Sequence, residues 1–283
     1  MTAIIIILAL AIAILLINLV IDHFVFPTFY TLSHHSIPKS AEGLTFIVIS
    51  DLHNTRFFGG GIERIISEVA KTIPDTSKIA VVFSGDMVIY PHSSVKNTLE
   101  IAKKATGLGI KMFGAIGNHE GKHPDCGGII QSLEAGGVRM LCNSAADFHG
   151  INVIGINDPQ KYVGQPGNNQ KDIETVKETI SGLLKNDKFN VVFFHRVSFF
   201  PHLSALGAEL IVSGHLHGGV VHLPFIGGLV GESFKLFPKY CAGLYKKDNC
   251  TLIASRGCDR KFIRTRIFNP PEVVVITLKS KKS

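Results

Sequence analysis

The chain has 283 residues, 46% of them apolar, and carries 29 Lys and Arg against 22 Asp and Glu, a net charge of +7. Length and apolar content exclude a disordered chain and suit one large domain or two small ones with a buried core. The modest basic excess is a solvated surface or one that favours anionic partners such as phosphate esters or lipid, and the lack of a basic-aromatic stripe argues against nucleic acid.

Residues 3–21, AIIIILALAIAILLINLVI, are uncharged and long enough to cross about 30 Å of hydrocarbon as a helix. A cleaved signal peptide has a basic start, a shorter apolar stretch and a small-residue cleavage site. Here only Met1 and Thr2 precede the run and Asp22-His23-Phe24 follows it, so residues 1–22 read as an uncleaved, single-pass membrane anchor. The few flanking charges, Asp22 and Lys39 among them, set no orientation. Phe24, Phe26, Phe29 and Tyr30 stand where rings occupy the headgroup layer or pack on the domain. Residues 23–42 are expected to form a connecting segment with an edge strand, and residues 43–283 a folded domain.

From Gly43 onward, short β-rich runs alternate with amphipathic segments, the pattern of an α/β layered domain. Strands are predicted over 45–50, 79–84, 110–116, 151–156, 190–194 and 209–213, and helices over 61–73, 94–106, 126–135 and 170–185. After Gly218 the helical periodicity stops. VVHLPFI, CAGLYKK, CTLIASR and EVVVITL read as strands, so a second, largely antiparallel sheet is expected against the first. The five cysteines form no C-x-x-C pair, which excludes a zinc ribbon; Cys241 and Cys250 read equally as a hairpin bridge or as buried thiols.

Polar blocks follow the strands. The first predicted strand runs into Asp51-Leu52-His53, the second into Gly85-Asp86, the third into Gly117-Asn118-His119, the fifth into His195 and the sixth into Gly214-His215-Leu216-His217. Strand carboxyl ends in open α/β sheets meet along one edge, where ligands bind. Each block alone has a bland reading: a turn for Gly-Asp, a satisfied buried imidazole for His195. Their coincidence at one edge does not. Carboxylate, amide oxygen and imidazole together suit Mn, Fe or Zn, and the ligands exceed one tetrahedral site, so two divalent or trivalent ions are expected.

In order and spacing these blocks resemble the calcineurin-like metallophosphoesterase superfamily across residues 43–220. GHLHGGVVHLPFIGG, AGLY, SRG at 255–257 and RIFNPPEVVVITL at 266–278 are similar to its bacterial membrane-associated branch, the YkuE/YaeI-like phosphodiesterases. The resemblance implies a layered β-sandwich with flanking helices as the catalytic domain. It implies one metal on Asp51, His53, Asp86 and His217, and another on Asp86, Asn118, His195 and His215, with Asp86 bridging. It places His119 against the phosphate, oriented by the next residue, usually Asp and here the longer Glu120. The implied reaction is hydrolysis of a phosphodiester or pyrophosphate by a hydroxide bridging the two metals, with His119 serving the leaving oxygen. A lipid-linked envelope substrate is a candidate, a UDP-2,3-diacylglucosamine diphosphatase being one specific form.

Two rivals bear on the same residues. HEGKH at 119–123 matches the zinc-peptidase pattern H-E-x-x-H, which requires a helix to bring both imidazoles to one ion. Gly121 inside it and Pro124 after it disfavour a helix, so the stretch reads as a loop and His123 has no metal role. The other rival is a non-catalytic membrane-bound metal-binding protein, whose signature would be a lost ligand; none is missing. Arg56, just past the first block, reads as a surface residue or a second phosphate contact.

Overall fold

The computed structural model describes residues 1–160, 169–223, 225–231, 235–259 and 266–281; Pro224, within the expected VVHLPFI strand, lies outside them. Two six-stranded sheets pack face to face. The first holds β1 (Phe26–His34), β2 (Thr45–Ile49), β3 (Ile79–Ser84), β4 (Lys111–Ala115), β5 (Arg139–Met140) and β14 (Glu272–Ser280), in the order β1-β14-β2-β3-β4-β5. The second holds β6 (Ser144–Phe148), β7 (Ile151–Ile156), β8 (Asn190–Arg196), β9 (Leu210–Gly214), β12 (Gly243–Lys247) and β13 (Cys250–Ala254), in the order β12-β13-β9-β8-β7-β6.

The alternation along β2 shows why the strands are apolar throughout. Phe46 and Val48 enter the core between the sheets, with Phe193, Val212 and Ile276, while Ile47 and Ile49 point outward beneath helices. A strand covered on both faces reads as a continuous hydrophobic run. The outer face of the first sheet is covered by α2 (Gly61–Thr72), α3 (Lys96–Gly107) and α5 (Cys126–Ala135). That of the second is covered by α6 (Gln170–Leu183) and the short α7 (Phe200–Leu203). The result is the expected layered sandwich with flanking helices.

Four expectations are corrected. The second sheet is not mainly antiparallel: β7, β8, β9 and β13 run parallel, and only the edge pairs β6/β7 and β12/β13 are antiparallel. The strand-end blocks do not share a single sheet edge, since β2, β3 and β4 belong to one sheet and β8 and β9 to the other. The final strand β14 does not join the second sheet; it inserts into the first, antiparallel to β2 and parallel to β1. Of VVHLPFI only β10 (His222–Leu223) is strand, paired with β11 (Gly227–Gly228) in a separate two-stranded hairpin. Periodicity finds strands, whereas sheet membership depends on long-range pairing that local pattern does not carry.

The N-terminal run forms one helix, α1 (Thr2–Ile21), apolar on every side and buried only at Asn18. A 20-residue helix is about 30 Å long, matching hydrocarbon thickness. Its carboxyl end is tied to the domain through polar groups. Asn18 Oδ1 accepts the Phe268 backbone N–H at 2.9 Å, and Asp22 Oδ2 accepts that of Arg266 at 3.0 Å. All five cysteines are free thiols.

Phe46 packs on Phe193 and Phe148 across the two sheets, with ring centroids 5.6 and 6.2 Å away. Replacing it with alanine is expected to cost about 3–5 kcal/mol, read as a lowered urea midpoint with an unchanged slope.

Candidate metal centre

Loops at the carboxyl ends of β2, β3, β4, β8 and β9 meet between the two sheets and are pinned to one another by backbone bonds. Asp51 N–H donates to the Gly85 carbonyl at 3.1 Å and His53 N–H to that of Asp86 at 2.9 Å. The approach is close enough to require glycine at two motif positions. A Cβ on Gly117 would lie 2.3 Å from the Asp86 nitrogen, and one on Gly214 would lie 2.0 Å from Ser50 Oγ and 2.3 Å from Asp51 Oδ2. The backbone is also strained where it delivers side chains: Asp51, His53, Asp86, His215 and His217 all have positive φ. Each such residue costs of order 1–3 kcal/mol, a price that folds keep at functional sites.

The expected ligand residues are brought together. Ligand atoms of Asp51, His53 and His217 lie within 4.8 Å of one another, as do those of Asp86, His195 and His215. Asn118 joins the second group, its Oδ1 2.9 Å from His215 Nδ1. Three imidazoles are held with Nδ1–H donating outward: His53 to the Val88 carbonyl (3.0 Å), His195 to that of Ser84 (2.9 Å) and His217 to Asp259 Oδ1 (2.8 Å). This fixes the tautomer that aims an Nε2 lone pair inward, the usual arrangement around a metal. His53 Nε2 and His195 Nε2 are buried without a hydrogen-bond partner, although His195 Nε2 lies 3.2 Å from Asp86 Oδ2. Orphaned inward nitrogens beside two buried carboxylates are what a cation would satisfy, so the residues present fit a metal pair.

The electrostatics agree. Burial opposes ionisation of Asp86, but His195 and His119 beside it hold its carboxyl well below the usual range. Burial likewise disfavours an imidazolium at His195, yet the Asp86 and Asp51 carboxylates raise it to about 10, so without metal its Nε2 carries a proton facing Asp86, which a bound cation would displace to expose the lone pair. An acidic, desolvated pocket of this kind concentrates positive charge.

Glu120 does something other than expected. Both of its oxygens accept backbone N–H groups, Oε1 from Val88 (2.8 Å) and Oε2 from Asp86 (2.9 Å) and Gly117 (3.0 Å). Its longer side chain clamps two loops together, while the N–H that meets His119 Nδ1 comes from Tyr90 at 2.9 Å. Burial and the Asp86 charge push Glu120 up to about 7, against the pull of those donors. The HEGKH stretch is also not wholly a loop: Asn118–Gly121 makes a single helical turn, α4. His123 lies beyond it with both ring nitrogens engaged, Nε2 donating to the Pro91 carbonyl (3.1 Å) and Nδ1 accepting from Asp125 N–H (3.0 Å). Arg56 is exposed and lies 3.9 Å from Glu100.

Sequence reasoning missed Asp259, buried against His217 and bonded by the Arg266 guanidinium. The signal was present. The chain leaves β13 at Ala254 and passes through Ser255-Arg256-Gly257-Cys258 to Asp259, an acid in the segment that follows a strand. Asp158 and Arg196 were also missed; they form a buried pair with Nε–Oδ2 and Nη2–Oδ1 both at 2.9 Å, and Arg196 Nη1 reaches to 3.5 Å from His215 Nε2.

Residues 44–219 match the family model described as calcineurin-like phosphoesterase. The chain belongs to that family. It is 25% identical over 271 residues to the uncharacterized metallophosphoesterase YkuE of Bacillus subtilis, covering 91% of this chain and 87% of the relative. The uncharacterized metallophosphoesterase Cj0846 of Campylobacter jejuni is 26% identical across 87% of this chain and 62% of its own length. One from Aquifex aeolicus is 25% identical across 89% and 91%. The chain is thus a phosphoester hydrolase of the YkuE-like branch, and its residue clusters are consistent with two metal ions.

Exchanging Glu120 for Gln would turn an N–H donor toward one of the backbone N–H groups it now accepts. The expected loss is about 1–3 kcal/mol, measured by chemical denaturation of the metal-free protein.

Proposed function

We propose that the chain hydrolyses a phosphodiester or pyrophosphate bond at a dinuclear centre, held to a membrane by α1. One ion would be held by Asp51, His53, Asp86 and His217, and the other by Asp86, Asn118, His195 and His215. The mixture of carboxylate, amide and imidazole donors suits Mn, Fe or Zn. When bound, such ions acidify water and offset charge on a phosphoryl group. The observation that carries the reading is the pair of inward, partnerless Nε2 atoms on His53 and His195 beside Asp51 and Asp86.

His119 supplies what the metal ligands do not. The Tyr90 N–H makes its Nδ1 an acceptor, which leaves the ring proton on Nε2. That atom is 3.9 Å from Asp86 Oδ2, and the side chain is partly open to solvent. The His119 backbone N–H donates to Asp86 Oδ1 at 2.8 Å, fixing the ring relative to the acid expected to bridge. From there Nε2–H can donate to a phosphoryl or leaving oxygen. Asp259 orients His217, and Glu120 sets the spacing of the loops bearing Asp86 and Asn118.

An anchored site favours a phosphoester carried by a lipid, since α1 confines the domain to the bilayer surface. A lipid-linked envelope intermediate such as a UDP-acylated sugar fits this reading.

The full chain with Mn²⁺ is expected to hydrolyse a generic phosphodiester. His119→Ala should lower kcat by about 10²-fold or more, and Asp86→Ala should abolish turnover. Mn²⁺ should also raise the Tm of the wild-type protein but not that of Asp86→Ala, because an ion that binds only the folded state stabilises it. An intact fold with no hydrolysis under any of the three metals would sink the enzyme reading.

A further inference from the structure

Five large apolar side chains of the C-terminal third are exposed at turns: Phe225, Ile226, Leu236, Phe237 and Phe268. Three of them, Phe225, Phe237 and Phe268, sit on backbone with positive φ. Such turns are ordinarily made by Gly or Asn, and a bulky aromatic there is strained. Phe225, Phe237 and Phe268 therefore bear a conformational cost and a solvation cost together, and burial within the domain offsets neither.

The turns are joined to one another and to the end of α1. Phe268 N–H donates to Asn18 Oδ1. Asn18 lies three residues before the helix ends, about 4.5 Å inside it, so the Phe268 backbone stands level with the last turn of the apolar helix. Ile267 bridges Val221, and its carbonyl accepts the His222 N–H. Leu229 N–H then donates to the Val221 carbonyl, and Phe237 N–H to that of Leu229. On the other flank Phe58 N–H donates to the His23 carbonyl, and its ring stacks on His23 at 4.8 Å. The same segment is fastened to the metal centre, since Asn269 Nδ2 donates to the carbonyls of His217 (2.7 Å) and Val220 (3.1 Å).

We propose that these turns form an apolar collar around the end of α1 that enters the headgroup layer of the bilayer, seating the metal centre against the lipid surface. Exposed apolar groups gathered on hydrogen-bonded neighbouring segments mark an interaction face, and Phe and Leu side chains bind membranes by burial at the boundary of headgroups and acyl chains. Continuity with α1 selects the bilayer as the occupant. The inference rests on the reading of α1 as an anchor and of the site as a phosphoesterase, and the experiment separates the three.

The chain contains no tryptophan, so single introduced tryptophans report depth without background. Phe225→Trp, Phe237→Trp, Ile12→Trp within α1, and Lys185→Trp at the exposed far end of the second sheet are each placed in the full chain. They are reconstituted in phosphatidylethanolamine and phosphatidylglycerol vesicles containing phospholipid brominated high on the acyl chain. Quenching is expected at 225, 237 and 12 and not at 185. Quenching at 12 without quenching at 225 and 237 overturns the collar and leaves the anchor; no quenching at 12 overturns both.

The double variant Phe225→Asp, Ile226→Asp adds a functional arm. With Mn²⁺ it should hydrolyse soluble bis(p-nitrophenyl) phosphate within about twofold of wild type. Hydrolysis of vesicle-borne phosphatidyl-p-nitrophenol should fall by about tenfold or more, the loss of roughly 1.4 kcal/mol of surface binding. Equal rates on the two substrates in variant and wild type would overturn a role for the collar in substrate access. If the wild type hydrolyses neither substrate, the phosphoesterase reading fails, and the quenching pattern alone decides the collar.

Discussion

Two carboxylates, Asp51 and Asp86, are buried where the loops of two sheets converge, and the rest of the site is arranged around that fact. A buried charge is costly unless it is paired and hydrogen-bonded. Asp51 accepts from Ser50 Oγ at 2.6 Å and from His215 N–H at 3.1 and 3.2 Å, and Asp86 accepts from His119 N–H. Imidazoles supply the positive potential. The glycines, the positive φ angles and the Glu120 clamp all follow from packing five loops tightly enough to hold these two acids side by side.

Much of this was legible in the sequence because strand patterning and strand-end chemistry are local. The runs ending at Ile49, Ser84 and Ala115, and those reaching His195 and Gly214, identify themselves by composition, and the polar blocks follow each directly. The core helices are equally plain: 126–135 is reproduced residue for residue, and 61–73, 94–106 and 170–185 to within two residues at either end. What local pattern does not contain is the partner of each strand. The pattern of β14 suits either sheet because a buried strand reads the same wherever it inserts, and its place beside β1 and β2 depends on residues more than two hundred positions away.

The site shows the same division. Asp51, His53, Asp86, Asn118, His195, His215 and His217 were identified by type and position, and the structure brings them together. Their orienting partners were harder to read. Substituting Glu for the usual Asp at 120 suggested a slightly altered contact to His119; instead the extra methylene carries the carboxylate to three backbone N–H groups that no motif describes. Helix-breaking residues correctly argued against a zinc-peptidase helix at HEGKH, although one turn survives before Gly121 and Pro124 take effect.

The ties at the end of α1 join regions usually thought of as separable. Asp22 accepts the Arg266 backbone N–H, the Arg266 side chain bonds Asp259, and Asp259 holds His217. A shortened form beginning at His23 would keep every proposed metal ligand, yet it would leave the N–H groups of Arg266 and Phe268 without their acceptors, next to the segment that positions His217. The helix is thus part of the domain's own architecture: it is the keystone of the loop that shapes one half of the candidate site.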